Sequence, residues 1–184
     1  MILIRHGQSE FNVVFSATRQ DPGIRDPHLT EEGRRQARVA GEALAGTGLK
    51  RLICSPYSRA IETAEIIAGV LDLGLTVDPL VGERAAFSCD VGSPPTELKL
   101  RWPALELEHL TEQWWPTMEE SETALQERCR RFHETMLEDS LWQETGVVTH
   151  WGFILGITGL RVGNGTVVRI QRDRASEVVH PRDP

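Results

Sequence analysis

The sequence of 184 residues has few cysteines, no long apolar run and no excess of positive charge. Its three cysteines, Cys54, Cys89 and Cys129, are odd in number and widely spaced, which does not fit a disulfide framework. They form no CxxC pair that would indicate a metal centre. No apolar stretch approaches the length of a transmembrane helix. The formal net charge of −7 argues against binding to nucleic acid or to an anionic membrane, both of which favour a basic surface.

The length and composition predict one soluble domain over residues 1–184. Hydrophobic residues make up 40% of the chain and charged residues 26%, values typical of soluble proteins. No repeat, low-complexity segment or linker interrupts the sequence. The opening MILIRHG passes from a short apolar run directly into Arg5 and His6, which does not fit a signal peptide. We therefore expect a cytoplasmic protein.

Apolar runs and helical periodicity predict strands that alternate with helices. The predicted strands lie at residues 1–5, 49–55, 75–80, 146–150 and 166–172, the last at an edge of the sheet. The predicted helices lie at residues 31–45 with Thr30 as N-cap, 55–73 with Ser55 as cap, 121–138 and 151–160. A polar loop is predicted between the first strand and Thr30, and residues 82–121 form an irregular excursion with at most short helices.

This alternation predicts an α/β fold: a three-layer sandwich with a mostly parallel central sheet and helices on both faces. Ligands of such sheets bind beyond the carboxyl ends of the strands. Four separate segments bring polar or charged side chains to that edge: Arg5 and His6, Ser55 and Arg59, Glu83, and Thr149 and His150.

The tripeptide Arg5-His6-Gly7 is the sharpest of these features. If His6 Nδ1–H donates to a carbonyl, Nε2 carries the lone pair and can attack phosphorus. Gly7 would leave room for a phosphate to approach the main chain. Taken alone, such a tripeptide is more often an exposed strand end with no chemistry, because short motifs recur by accident.

The tripeptide is one of four motifs that resemble the histidine phosphatase superfamily, also called the phosphoglycerate mutase-like superfamily. The motifs are RHGQSEFN, LTEEGRRQA, SPYSRAIETA and THWG, and they occur in the order that this family uses. They span residues 5–152, which is most of the chain. The resemblance implies a mixed sheet between layers of helices, in agreement with the alternation of strands and helices.

Carried over by position, the resemblance implies that His6 is a nucleophile that becomes phosphorylated. Arg5, Arg59 and His150 would surround the transferred phosphoryl group. A transferring phosphoryl group spreads negative charge over its oxygens, and fixed donors stabilise that charge. Two arginines can supply this without a metal ion, so we expect neither a metal nor another cofactor.

The resemblance places the proton donor at Glu83, which follows the third predicted strand. A departing alkoxide needs such a protonated carboxyl. Asp90 lies close enough in sequence to compete for this role. Asn12, at the end of RHGQSEFN, matches a position that supplies a further donor to the substrate, and Gly7 is the other candidate for substrate binding.

Two enzymatic outcomes share a phosphohistidine: a phosphatase passes the phosphoryl group to water, and a mutase returns it to a sugar-acid phosphate. The segment 84–118 departs from the mutase pattern and offers only Arg84, Lys99 and Arg101 as cations. We therefore expect a phosphatase acting on a phosphorylated small molecule or phosphoprotein, with the mutase as alternative. A non-catalytic protein that binds a phosphorylated ligand is a third hypothesis. Residues 82–121 are the expected substrate-specificity region.

Overall fold

Six strands form one mixed sheet in the computed structural model, which describes residues 1–180. The strands are β1 (Ile2–Arg5), β2 (Arg51–Cys54), β3 (Leu75–Val77), β4 (Thr145–Thr149), β5 (Val167–Ile170) and β6 (Ser176–His180). Their order in the sheet is β3-β2-β4-β1-β5-β6. The first four in this order are parallel, so their carboxyl ends meet at one edge, whereas β5 is antiparallel to β1.

The prediction that residues 166–172 form an edge strand is wrong, because β6 pairs with β5 on its outer side. A turn places residues 176–180 antiparallel to β5, with Gln171 N donating to the Ala175 carbonyl at 2.8 Å. The segment SEVVH is short and half polar, so its own sequence gives a weak strand signal.

Six helices accompany the sheet: α1 (Glu10–Thr18), α2 (Glu31–Leu44), α3 (Ser58–Leu71), α4 (Pro95–Arg101), α5 (Glu122–Leu137) and α6 (Trp151–Thr158). The predicted helices α2, α3, α5 and α6 are confirmed. Thr30 Oγ1 accepts the N–H of Gly33 at 3.0 Å, which is the predicted cap of α2. Helix α1 lies where a loop was predicted. Among residues 1–180, no helix has the length and apolar character needed to cross a membrane.

The two faces of the sheet bury separate apolar cores. Ile2 and Ile4 point towards the side covered by α2 and α3, whereas Leu3 and Val147 point towards the side covered by α5 and α6. This alternation along a strand follows from the period of two in β structure. The predicted three-layer α/β fold, with a mostly parallel sheet, is confirmed.

The excursion after β3 contains a 3₁₀ turn at Ser88–Asp90 and the short helix α4, as predicted. It returns over the carboxyl edge of the sheet, where the ring of Trp114 packs edge-on against Tyr57 with a centroid distance of 4.7 Å. Gly92 permits this approach, because a Cβ there would lie 2.4 Å from Trp114. The excursion is thereby packed against residues that precede α3.

Candidate active site

His6 lies directly after β1 and is buried beneath the carboxyl edge of the sheet. Its backbone N–H donates to the Thr149 carbonyl at 3.0 Å, which continues the pairing of β1 with β4. Its Nδ1 lies 2.7 Å from the Gly7 carbonyl, so Nδ1–H donates and Nε2 carries the lone pair. Burial, together with the charges of Arg59 and Arg5, holds the pKa of His6 well below its usual value. The ring is therefore neutral and able to act as a nucleophile.

Gly7 is required by packing between the first loop and α2. A Cβ at this position would lie 2.2 Å from the Gly33 carbonyl oxygen. The Gly7 N–H donates to Thr63 Oγ1 at 3.1 Å, and that hydroxyl donates to the Arg59 carbonyl at 2.7 Å. Close approach of the Gly33 backbone thus accounts for the glycine at this position.

Arg5, the last residue of β1, directly precedes His6 and is half-buried. Its Nη1 donates to the Val162 carbonyl at 2.6 Å, and its Nε is buried with no hydrogen-bond partner among residues 1–180. Burial lowers the pKa of Arg5 to about 10, opposed by the charge of Glu83, so that it remains a cation at neutral pH.

Arg59, the second residue of α3, is almost fully buried at 2% exposure. Its Nη1 donates to the Cys89 carbonyl at 2.7 Å and its Nη2 to Asp90 Oδ1 at 3.2 Å. The guanidinium carbon also lies 4.4 Å from the centre of the Tyr57 ring. Burial acts to lower the pKa of Arg59, but Cys89 and Asp90 more than offset this, so the net shift is upward.

The prediction that Ser55 caps this helix is wrong. Helix α3 begins at Ser58, with Tyr57 as its N-cap residue. Ser55 Oγ accepts the Tyr57 N–H at 3.3 Å and lies 2.7 Å from His150 Nε2. The serine therefore orients a histidine of the site instead of satisfying the helix terminus.

His150 follows β4 and is the N-cap residue of α6, with its ring 5.0 Å from that of His6. Its Nε2 contacts Ser55, and its Nδ1 is buried with no partner among residues 1–180. Burial and the charge of Arg59 hold the pKa of His150 well below its usual value. His150 Nδ1 could therefore form a hydrogen bond with a ligand at this edge of the sheet.

Glu83 is half-buried at the same edge, after a 3₁₀ turn at Pro79–Val81. Its Oε1 accepts the N–H of Gly152 at 2.7 Å and that of Arg84 at 2.8 Å. Burial, followed by the charge of Asp90, raises the pKa of Glu83, while Arg84 N–H, Arg59 and Arg5 oppose the shift. A raised pKa suits a carboxyl that must carry a proton.

Arg128 of α5 fixes the backbone that leads to Glu83, and sequence reasoning missed it. Its Nη1 donates to the carbonyls of Leu80 and Gly82, both at 2.8 Å, and its Nη2 to that of Glu83 at 3.1 Å. Glu120 pairs with the same guanidinium at 2.9 Å. The sequence gives no signal for it, because α5 carries many charged residues that are mostly surface pairs.

Asn12 lies on α1, with its amide oxygen engaged inside the protein. Oδ1 accepts from the backbone N–H and the hydroxyl of Ser9, both at 3.0 Å, and from Asn164 Nδ2 at 3.2 Å. Asn164 also donates to the His6 carbonyl at 3.1 Å and so connects α1 to the nucleophile loop. Asn12 Nδ2 is then the group that would donate to a substrate. Asn164 was not predicted, and only its place in a turn before a buried strand could have indicated it.

The geometry thus brings His6, Arg5, Arg59, His150 and Glu83 to one edge of the sheet. Among residues 1–180, no three His, Cys, Asp or Glu side chains cluster so that they could hold a metal ion.

Comparison with known proteins shows the family. A model of the histidine phosphatase superfamily, branch 1, matches residues 1–176. The 2,3-bisphosphoglycerate-dependent phosphoglycerate mutase of Bartonella henselae is 44% identical over 89 residues, which is 46% of this chain and 41% of the relative. That of Methylobacterium radiotolerans is 36% identical over 108 residues, 55% of this chain and 48% of the relative. The aligned region spans less than half of either relative.

The fold is also similar to that of solved structures. A mycobacterial glucosyl-3-phosphoglycerate phosphatase in complex with VO3 superimposes with a TM-score of 0.66 at 21% identity, covering 97% of this chain and 96% of that chain. At this identity the likeness concerns the fold alone. The match of the family model over nearly the whole sequence establishes the family: the chain belongs to the histidine phosphatase superfamily, branch 1.

Proposed function

We propose that the chain is a phosphatase that hydrolyses a phosphomonoester through a phosphohistidine on His6. The observation that carries this proposal is a pair of buried polar atoms without partners among residues 1–180, Arg5 Nε next to His6 in the chain and His150 Nδ1 on a ring whose centre lies 5.0 Å from that of His6. Buried polar atoms are nearly always hydrogen-bonded, so such orphans point to an absent ligand. Beside the buried Arg59 and the half-buried Arg5, the ligand that completes these atoms is an anion, and a phosphoryl group has the oxygens to do so.

In the first step, His6 Nε2 attacks phosphorus and the bond from phosphorus to the ester oxygen breaks. The Glu83 carboxyl gives its proton to the departing oxygen, so the alcohol leaves neutral. Arg5 and Arg59 stabilise the charge that spreads over the phosphoryl oxygens. His150 Nδ1–H donates to the same group, provided that the Ser55 hydroxyl donates to Nε2 and fixes this tautomer.

In the second step, the Glu83 carboxylate takes a proton from water as the water oxygen attacks phosphorus. The bond from His6 Nε2 to phosphorus breaks, and the lone pair returns to the imidazole. Inorganic phosphate leaves and Glu83 is again protonated. The contacts of Glu83 Oε1 with two backbone N–H groups hold the carboxylate in place between the steps.

The cations of the excursion favour a phosphatase over a mutase, which must also hold a sugar-acid carboxylate. All three are already hydrogen-bonded within the protein: Arg84 Nε to the Glu120 carbonyl at 3.0 Å, Lys99 Nζ to the Leu105 carbonyl at 2.6 Å, and Arg101 Nη1 to Ser58 Oγ at 3.2 Å. These contacts reduce the number of donors left for a second acidic group on the substrate. We propose the same substrate class as from the sequence, a phosphorylated small molecule or a phosphoprotein. The proposed location is the cytoplasm, and neither nucleic acid nor a membrane is proposed as a partner.

A screen of phosphomonoesters with purified protein in EDTA tests the proposal. Release of inorganic phosphate should survive chelation and disappear in His6→Ala, while the matched control His180→Ala, at a histidine on the outermost strand β6, should keep it. Including 3-phosphoglycerate distinguishes the alternatives, because a mutase would yield an isomeric phosphoglycerate instead of inorganic phosphate. Binding of phosphate without turnover of any ester would favour the non-catalytic alternative.

A further inference from the structure

Asp90 occupies a buried position at the end of the 3₁₀ turn that faces α3, and its exposure is only 1%. Its Oδ1 accepts from Arg59 Nη2 at 3.2 Å, and its Oδ2 accepts the backbone N–H groups of Ala86 and Phe87, both at 3.0 Å. Each carboxylate oxygen therefore serves as an acceptor for a different part of the site. One oxygen holds the arginine, and the other holds the loop that follows Glu83.

These contacts define which face of Arg59 is open to a ligand. The Cys89 carbonyl takes one N–H of Nη1, Asp90 takes one N–H of Nη2, and the Tyr57 ring covers the guanidinium plane. A guanidinium has five N–H groups in a rigid fork, so three remain for the oxygens of an anion. Without the carboxylate, nothing else described at Nη2 would fix the rotation of the fork.

The same contacts make Asp90 a poor candidate for the proton donor. A general acid must carry a proton and direct it at the leaving oxygen. Asp90 instead receives three N–H donors from the protein interior. Among residues 1–180, Glu83 accepts from only two N–H groups, both through Oε1, which leaves Oε2 to bear the proton.

We propose that Asp90 is a positioning residue of the phosphoryl site, which sets the Arg59 guanidinium through Oδ1 and ties the loop behind Glu83 to that arginine through Oδ2. This inference rests on the proposed function. Asp90 thereby aligns the arginine that binds the phosphoryl group, and its negative charge acts on the neighbouring Glu83 carboxyl.

The electrostatic consequence can be read from the groups that face Glu83. After burial, the charge of Asp90 is the largest cause that raises the pKa of Glu83, and Arg59 and Arg5 lower it. From α5, Arg128 contacts Glu83 at its backbone carbonyl and is paired with Glu120. His6 and His150, the other groups at this edge, are neutral. Removing the negative charge of Asp90 should therefore lower the pKa of Glu83 and move the alkaline limb of the rate profile to lower pH.

The test compares Asp90→Asn with Glu83→Gln and with Asp139→Asn, which removes an ion pair to Arg51 elsewhere in the protein. Affinity for orthovanadate, measured by titration calorimetry, should fall about tenfold or more in Asp90→Asn and stay unchanged in Asp139→Asn. At a pH below the alkaline limb, where Glu83 carries its proton, hydrolysis of alkyl and aryl esters should fall together in Asp90→Asn, whereas Glu83→Gln should depress the alkyl ester selectively. The alkaline limb should shift to lower pH in Asp90→Asn only.

Unchanged vanadate affinity in folded Asp90→Asn would overturn the proposal. Selective loss of the alkyl ester in that variant would instead make Asp90 the acid. If Asp90→Asn does not fold, Asp90→Glu decides: its alkaline limb should stay near that of the wild type while vanadate affinity falls, and unchanged affinity contradicts positioning. If the wild-type protein binds vanadate but hydrolyses no ester, the proposed function fails while the calorimetry still tests Asp90.

Discussion

Substitution of Gly152 by alanine is a direct probe of the acid, because this glycine lies against the Glu83 carboxylate. A Cβ at Gly152 would lie 2.3 Å from Glu83 Oε1 and 3.1 Å from the Cβ of Arg84. Non-bonded carbon and oxygen atoms approach to about 3.3 Å, so the carboxylate must move by about 1 Å. A displacement of about 1 Å at a catalytic group can cost about 100-fold in rate, equivalent to about 2.7 kcal/mol.

We expect Gly152→Ala to lose about 100-fold in kcat on an alkyl phosphomonoester and much less on an aryl ester, whose leaving group departs without a proton. The loss should not come from unfolding, because alanine in a helix is favoured over glycine by up to about 1 kcal/mol. Steady-state kinetics with both esters and a thermal unfolding scan measure the two effects separately.

Gly69→Ala is the matched control for this experiment. Gly69 also lies within a helix, α3, and a Cβ there would meet no heavy atom within 4 Å. This variant should keep wild-type kinetics on both esters. A folded Gly152→Ala protein with an unchanged ratio of alkyl to aryl hydrolysis would refute the assignment of Glu83 as the acid.

Three further predictions concern the charged and titratable groups at the carboxyl edge. Arg59→Lys should reduce kcat/KM by about 100-fold or more, because an ammonium group cannot reproduce the planar guanidinium that two acceptors hold in place. Kinetics that stay near wild type would contradict a role of Arg59 in binding the phosphoryl group. Arg5→Lys should weaken vanadate binding measured by calorimetry, since it removes the unpartnered Nε, and unchanged affinity would remove Arg5 from the site. Folding lowers the pKa values of His6 and His150, so below about pH 6.5 the unfolded state binds more protons than the folded state. The free energy of unfolding therefore decreases as the pH is lowered below about 6.5, by up to about 1.4 kcal/mol per pH unit for each histidine. Urea unfolding between pH 7.5 and 5.5 should show this slope, and His6→Gln should lose roughly half of it.

The sequence was sufficient to predict the residues that end the parallel strands. His6, His150 and Glu83 follow strongly apolar segments, and in a parallel sheet the ends of such strands meet at one edge whatever the details of the loops. Arg59 follows from the same rule, since the start of α3 succeeds β2. The residues that meet at this edge could therefore be named before any distance was known.

The helix α1 and the strand β6 could not be predicted with equal ease. Only Phe11 of α1 is fully buried, and Val13 and Val14 are exposed, so the segment lacks a clear helical stripe. Its start is fixed by the reciprocal contacts of Ser9 and Asn12, which use an asparagine in place of the usual Glu or Gln.

The contacts that orient the site depend on the fold of distant segments. Ser55 contacts His150 across 95 positions of sequence, and Arg128 contacts Glu83 across 45. Neither pair has a local motif, because each depends on how α5 or β4 is placed against the sheet. Such groups become visible only when the whole chain is folded.

The central claim is a covalent phosphoryl intermediate on His6, and rapid quench with a ³²P-labelled phosphomonoester tests it most directly. The account predicts a transient label that is stable in base and labile in acid, and that maps by peptide sequencing to His6. The label should be absent in His6→Ala and should persist longer in Glu83→Gln, where water is not activated. A label on an aspartate or serine, or turnover in His6→Ala at the wild-type rate, would contradict the account.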